Sequence, residues 1–352
     1  MKTLRRFLLL LTAALMLSGG SAAAQHRYWT WGGYDPNRNW DEYFQYMTDH
    51  GITGILFGAS REDFEKVIPI ADKYGVAIQS WSWITNNGGI AHQNPEWLDY
   101  NRNGESMKDR MAYVGYYRFL SPAIEEVRQA IYKQVEETCK TTGLDGFSLD
   151  YCRYVDAILP EGLWKGYGLI QDKVYPEWDY GYHPESIAKF KAKFGYDPRE
   201  QEDPTKDEKW LQFRLDQVNE LVEGIKEICV KYGKKLTASP FPTPSMSRIM
   251  VLQDWGAWPL DEAFPMIYHG CYYGDAKWIG DCVKECVETM PDETKIYCGL
   301  LAGDFYEGAS CTVTEAMQAA LDKGADGISF FQFDGFSPEK KEEIKRFIQK
   351  NP

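Results

Sequence analysis

The densest chemistry in this 352-residue chain lies in GLDGFSLDYCRYVD, residues 143–156. An apolar run, FSL, passes directly into Asp150, and Arg153 follows three residues later. Successive side chains of a strand alternate faces. Asp150 and Cys152 are therefore expected on one side, with Tyr151 and Arg153 on the other, until the strand breaks. A guanidinium nearby would hold the carboxyl group ionised. A permanent carboxylate is the species that attacks or stabilises an oxocarbenium-like centre in glycoside cleavage. The bland alternative is a buried Asp–Arg pair with no chemical role.

Such cleavage needs a second carboxyl group, kept protonated as the general acid. Asp254 in QDWGAW, Asp334 behind FFQF, Asp304 behind LLAG and Glu177 beside Trp178 are the candidates. Spacing does not separate them. Asp254 and Asp334 are placed first, each with the alternative of binding a substrate hydroxyl or capping a helix. Two aromatic pairs, Trp29 and Trp31 in WTW and Trp81 and Trp83 in WSW, repeat with the period of a strand face. Indole faces stack on the C–H face of a pyranose ring while polar neighbours bond its hydroxyls. About half of these four are expected to line a site, the others packing in the core. Tyr151, Arg153, Tyr268, His269, Asp304 and Gln332 complete the expected binding set. HExxH, HxxEH and CxxC spacings are missing from the sequence, so no metal ligand set and no cofactor are expected.

Composition narrows the partner. The net charge of −13 argues against nucleic acid and anionic membrane surfaces, which need a basic face. Twelve Trp, 23 Tyr and 17 Phe favour a carbohydrate. Lys2, Arg5 and Arg6 precede an eleven-residue apolar stretch, residues 7–17, and then SGGSAAAQ. Eleven residues are too few to cross ~30 Å of hydrocarbon, so residues 1–24 are expected to be a signal peptide cleaved after Ala24. No later run is long enough for a membrane span. The mature chain, 25–352, is then exported to the periplasm or beyond. Such a compartment permits disulfides; Cys282 and Cys286, four apart on a helix pattern, are read as core residues ahead of a bridge.

These residues must be held by the elements around them. Apolar or β-branched runs at 27–33, 51–59, 76–84, 145–154, 235–242, 262–270, 295–303 and 326–335 read as strands. Amphipathic helical stretches fall between them, except after the fifth strand, where only QDWGAW stands. Eight alternations predict one α/β domain, a (β/α)8 barrel whose strand C-terminal ends carry the site. An open doubly wound sheet is the rival, weakened by the lack of GxGxxG after the first strand. Residues 151–184, after the fourth strand, read as the longest loop, an elaboration over the barrel mouth that lends aromatics to the cleft.

Several motifs also stand in an order that resembles the glycosyl hydrolase-like family 10. DGFSLDYCRYV is similar to its strand-four pattern, with Val155 where proline is usual. SPAIEEVRQAIYKQVEE, FRLDQVNELV, LTASPFP, QDWGAW and EAFPMIYHG follow in turn, with Met266 where glutamine is usual. The resemblance spans roughly residues 27–336. It implies a (β/α)8 glycosidase and, through likeness to α-amylase-like and α-galactosidase-like barrels, a nucleophilic role for Asp150. Alternatives are a carbohydrate-binding barrel without catalysis and a hydrolase of bacterial cell-wall glycan. A metal-dependent deacetylase would need Asp/His clusters that are missing from this sequence. A second carboxyl group within reach of Asp150 separates enzyme from binding barrel.

Overall fold

A computed structural model describes residues 27–302 and 310–352. Eight strands run parallel in chain order and close into a barrel. They are β1 (Tyr28–Gly33), β2 (Gly54–Gly58), β3 (Ala77–Trp83), β4 (Gly146–Asp150), β5 (Lys235–Ala238), β6 (Glu262–Ala263), β7 (Lys295–Leu301) and β8 (Gly327–Phe331). Closure is the pairing of β1 with β8, with Tyr28 opposite Ile328 and Thr30 opposite Phe330. All eight strand expectations and the barrel are therefore met. The strands are shorter than the apolar runs suggested, so residues at their ends are free to turn into loops.

The strands form here because both faces are covered. GILFG in β2 is almost wholly buried, as parallel strands under helices must be. Helices on the outside start at capped positions: Asn39 accepts from the Glu42 N–H, and Thr312 with Glu315 makes a full capping box. The helix missed after the fifth strand is Pro244–Met250, where Thr243 caps the N-terminus ahead of an N1 proline.

The barrel interior is filled by large side chains. Trp29, Trp31, Leu56, Ala77, Phe264 and Tyr297 form one cluster. Trp29 meets Phe264 edge-on at 5.2 Å and Tyr297 at 5.7 Å. A Cβ on Gly54 would lie 2.3 Å from the Trp29 ring, so glycine makes the room for that indole. Deeper in the barrel, Gln79 donates to Glu262 and accepts from Thr237 at 2.7 Å, which satisfies a buried polar layer.

Two insertions rise from neighbouring strands over the C-terminal mouth. One runs from the end of β3 to the helix Glu125–Cys139; the other runs from the end of β4 to the helix Pro184–Phe194. The first, residues 84–124, is longer than the second, so the expectation that the longest loop follows the fourth strand is not met. Cys282 and Cys286 are buried on the helix Ala276–Thr289, and the Cys286 thiol donates to the Pro242 carbonyl at 3.3 Å. Among the described residues no helix is long and apolar enough to cross a membrane.

Candidate active site

The cavity at the barrel mouth begins with β4. Ser148 and Asp150 are buried at its alternate positions, and Asp150 ends the strand. The chain then turns sharply, because Tyr151 adopts a left-handed φ of 48°. A non-glycine residue there is strained and persists only where its surroundings enforce it. Thr85, just past β3, does that: its amide donates to the Tyr151 carbonyl at 3.2 Å, and its hydroxyl accepts from the Arg153 amide at 3.1 Å. The Thr85 hydroxyl also meets the Tyr151 and Arg153 carbonyls.

Asp150 is held on both oxygens. The Trp81 indole N–H donates to Oδ2 at 2.8 Å, and the Tyr151 amide donates to Oδ1 at 2.7 Å. Burial nevertheless dominates and pushes its carboxyl group up to about 6, against the two hydrogen bonds and the Arg153 charge. The expectation that Arg153 keeps Asp150 ionised is thus corrected. The guanidinium turns to Asp156 instead, at 3.3 Å. It also donates to the Tyr154 carbonyl and lies over the rings of Tyr151, Phe119 and Phe241.

Asp156 is the carboxylate that sequence reasoning missed. Tyr113 and Tyr117 both donate to its Oδ2, at 2.8 and 2.7 Å. Arg153 engages its other oxygen, Oδ1, so both carboxyl oxygens are held. The tyrosines come from the β3 insertion, where YVGYY was the available signal. Five residues separate Asp156 from Asp150, and the irregular chain between them is invisible to a pattern of period two.

The resulting cavity measures about 440 Å³. Trp31, Trp81, Trp83, Tyr151, Tyr268 and Phe331 line it from the strand ends, Tyr113, Tyr116 and Tyr117 from the β3 insertion. Leu159, Pro160, Leu163 and Tyr167 close it from the β4 insertion. That loop therefore covers the mouth as expected, with Tyr151 at its start and Tyr167 as its aromatic contributions. Trp164 donates to the Leu159 carbonyl, and Trp178 packs edge-on against Tyr113 at 5.3 Å. Glu177 is not among the lining residues; its carbonyl accepts from the Asn101 amide.

Other expected site residues lie elsewhere. Trp29 sits one layer below, in the barrel core. Asp254 faces away, in an ion pair with Arg248 at 2.5 Å, because its turn packs beside the helix Pro244–Met250. Its neighbour Gln253 does serve the cavity: it accepts from the Phe241 amide and donates to the Cys152 carbonyl, tying the loops after β5 and β4 together. Asp334 is exposed at the surface and pairs with Arg38 at 3.4 Å. Gln332 is exposed and His269 buried, and neither lines the cavity; burial moves the His269 imidazole below its ordinary value. Asp304 falls outside the described residues. Among the described residues, no group of three His, Cys, Asp or Glu could hold a metal ion.

A closed (β/α)8 barrel with a buried carboxyl group beneath an aromatic cavity at its C-terminal mouth defines a class of architecture. No family model matches the sequence, and no curated protein is significantly similar to it. Its structural neighbours are glycoside hydrolases with the same barrel. The glycoside hydrolase domain of PgaB (BpsB) from Bordetella bronchiseptica superposes with a TM-score of 0.64 at 15 % identity, over 91 % of this chain and 98 % of that one. A β-galactosidase from the psychrophilic Marinomonas ef1 gives 0.63 at 12 %, over 92 % of this chain and 59 % of that one. The α-L-fucosidase isoenzyme 2 from Paenibacillus thiaminolyticus gives 0.60 at 13 %, over 93 % and 49 %.

Proposed function

We propose that the chain is an exported glycoside hydrolase acting on a neutral oligosaccharide or polysaccharide, with residues 1–24 as its signal peptide. The observation that carries this reading is Asp150, a buried carboxyl group at the end of β4 under a cavity walled by indole and phenol rings. Aromatic walls suit the apolar faces of sugar rings, and the tyrosine hydroxyls suit their polar edges. The barrel shared with several glycosidases supports the same class, and the ordered motifs support kinship with the glycosyl hydrolase-like family 10.

The environments of the two lining carboxyl groups divide the labour. Asp150, raised to about 6, carries a proton at mildly acid pH and can deliver it to a leaving glycosidic oxygen. This replaces the nucleophilic role first expected for it. Asp156, held by Arg153, Tyr113 and Tyr117 and lining the same cavity, is the second carboxyl group, set to face the developing positive charge.

The test is a screen of the mature protein against a polysaccharide panel, reading released products by mass spectrometry, with Asp150→Asn alongside. The reading holds if a glycan is cleaved by the wild type and the variant is at least about a hundredfold slower. A glycan that is bound but never cleaved makes the chain a carbohydrate-binding barrel.

A further inference from the structure

Trp83 belongs to two concavities at once. One face of the mouth, against Tyr151 at 4.8 Å and Tyr116 at 5.5 Å, is the cavity already described. Trp83 also lines a groove of about 730 Å³ on the outer side of β3, between the helices Arg61–Lys73 and Glu125–Cys139. The indole is 40 % exposed, far more than a ring of its size in a core. The chain leaving β3 borders this gap with the short helix Gly88–Gln93 and the turn Pro95–Trp97, and the long helix that follows begins only at Glu125.

From this continuity we propose that the groove is a second carbohydrate site, holding the continuation of a neutral glycan whose end lies in the cavity. The proposal rests on the glycan reading of the cavity. Trp83 and Trp97 line it with indoles, and Gln93, Asn94 and Gln134 line it with amides, of which the Asn94 NH₂ donates to the Ile90 carbonyl at 3.3 Å. The Gln134 oxygen accepts from Asn87 at 2.8 Å, which orients its NH₂ group. Aromatic faces flanked by amides bind hydroxylated rings without a charge requirement. Of the charges that line the groove, Arg61 and Glu137 pair at 3.9 Å, which leaves Lys133 as a single further cation. One such cation is too little for a polyanion, which needs a basic face, so a neutral chain fits better. Linking two contiguous sites on one polymer raises affinity without new contacts in either.

Gly89 lines the groove and is exposed, and an added Cβ there would meet only the Asn87 amide oxygen at 3.5 Å. Gly89→Tyr therefore obstructs the groove without disturbing the core. The experiment uses native gels cast with a galactan, a galactomannan or a β-glucan, comparing Asp150→Asn with Asp150→Asn/Gly89→Tyr, so that binding is read without turnover. At least one polymer is expected to retard the single variant, with apparent affinity falling about tenfold in the double variant. Trp97→Ala should fall in the same way, and an aryl monoglycoside that fills the cavity alone should be turned over unchanged by Gly89→Tyr. Unchanged retardation in the double variant overturns the groove while leaving the hydrolase reading intact. Equal losses on polymer and aryl glycoside overturn it too, since the cavity was then the part affected. Retardation by none of the three polymers also overturns it.

Discussion

The Trp81 indole N–H donates to Asp150 Oδ2 at 2.8 Å, joining the ends of two adjacent barrel strands in a single buried contact. The contact stabilises the ionised carboxyl group, while burial opposes it and prevails. Trp81→Phe keeps a ring in the cavity wall and removes the donor. The Asp150 carboxyl should then rise above about 6. The alkaline limb of kcat/KM, which reports the free enzyme, should move to higher pH, with kcat reduced about tenfold; an unmoved limb assigns the titration to another group.

Asp150 also sets a stability trade-off. Its folded value near 6 stands above the ordinary carboxyl value of 3.8. Below about pH 3 the group is largely neutral in both states. As pH rises towards 6 the unfolded chain ionises first, so the native state loses stability, by roughly 3 kcal/mol once both have titrated. Asp150→Asn mimics the neutral form. Urea titrations should find the variant more stable than wild type at pH 7.5, with the difference shrinking as pH falls and vanishing near about pH 3.

Arg153 and Asp156 are both buried and paired. Removing the cation alone strands the carboxylate, so Arg153→Met should destabilise the fold by about 3–5 kcal/mol, measured by denaturant melting. Tyr117→Phe removes one donor of two to the same oxygen and should cost only about 1–2 kcal/mol.

Asp254 and Asp334 provide the contrast. Each is paired outside the cavity, with Arg248 and Arg38. Asp334→Asn and Asp254→Asn should each keep kcat/KM within about threefold of wild type, and Asp334→Asn should barely move Tm because exposed ion pairs contribute little. A hundredfold loss in either would return that residue to the catalytic set.

Gly54→Ala tests the barrel interior. The new methyl group collides with Trp29, so the variant should lose about 1–3 kcal/mol or more of stability by overpacking. Trp29→Leu in the same chain should recover part of the loss.

The barrel was legible from the chain because it is a local pattern repeated eight times: apolar runs, capped amphipathic helices and glycine C-caps each reflect constraints within a few residues. Asp150 was legible for the same reason, since a carboxyl group directly behind FSL must sit at a strand end. Trp31, Trp81 and Trp83 were reachable by alternation, although alternation could not tell Trp31 in the cavity wall from Trp29 one layer beneath it; depth along a strand depends on where its neighbours end. What only the tertiary structure decided is which charges meet. Arg153 lies three residues from both Asp150 and Asp156, and the left-handed turn at Tyr151 selects the second. Tyr113 and Tyr117 reach Asp156 from another insertion, some forty residues earlier in the chain, and Asp254 is drawn away by an arginine on a helix the sequence pattern did not reveal. Electrostatic partnership is a property of distance through space, and distance through space is set by packing, which no single segment encodes.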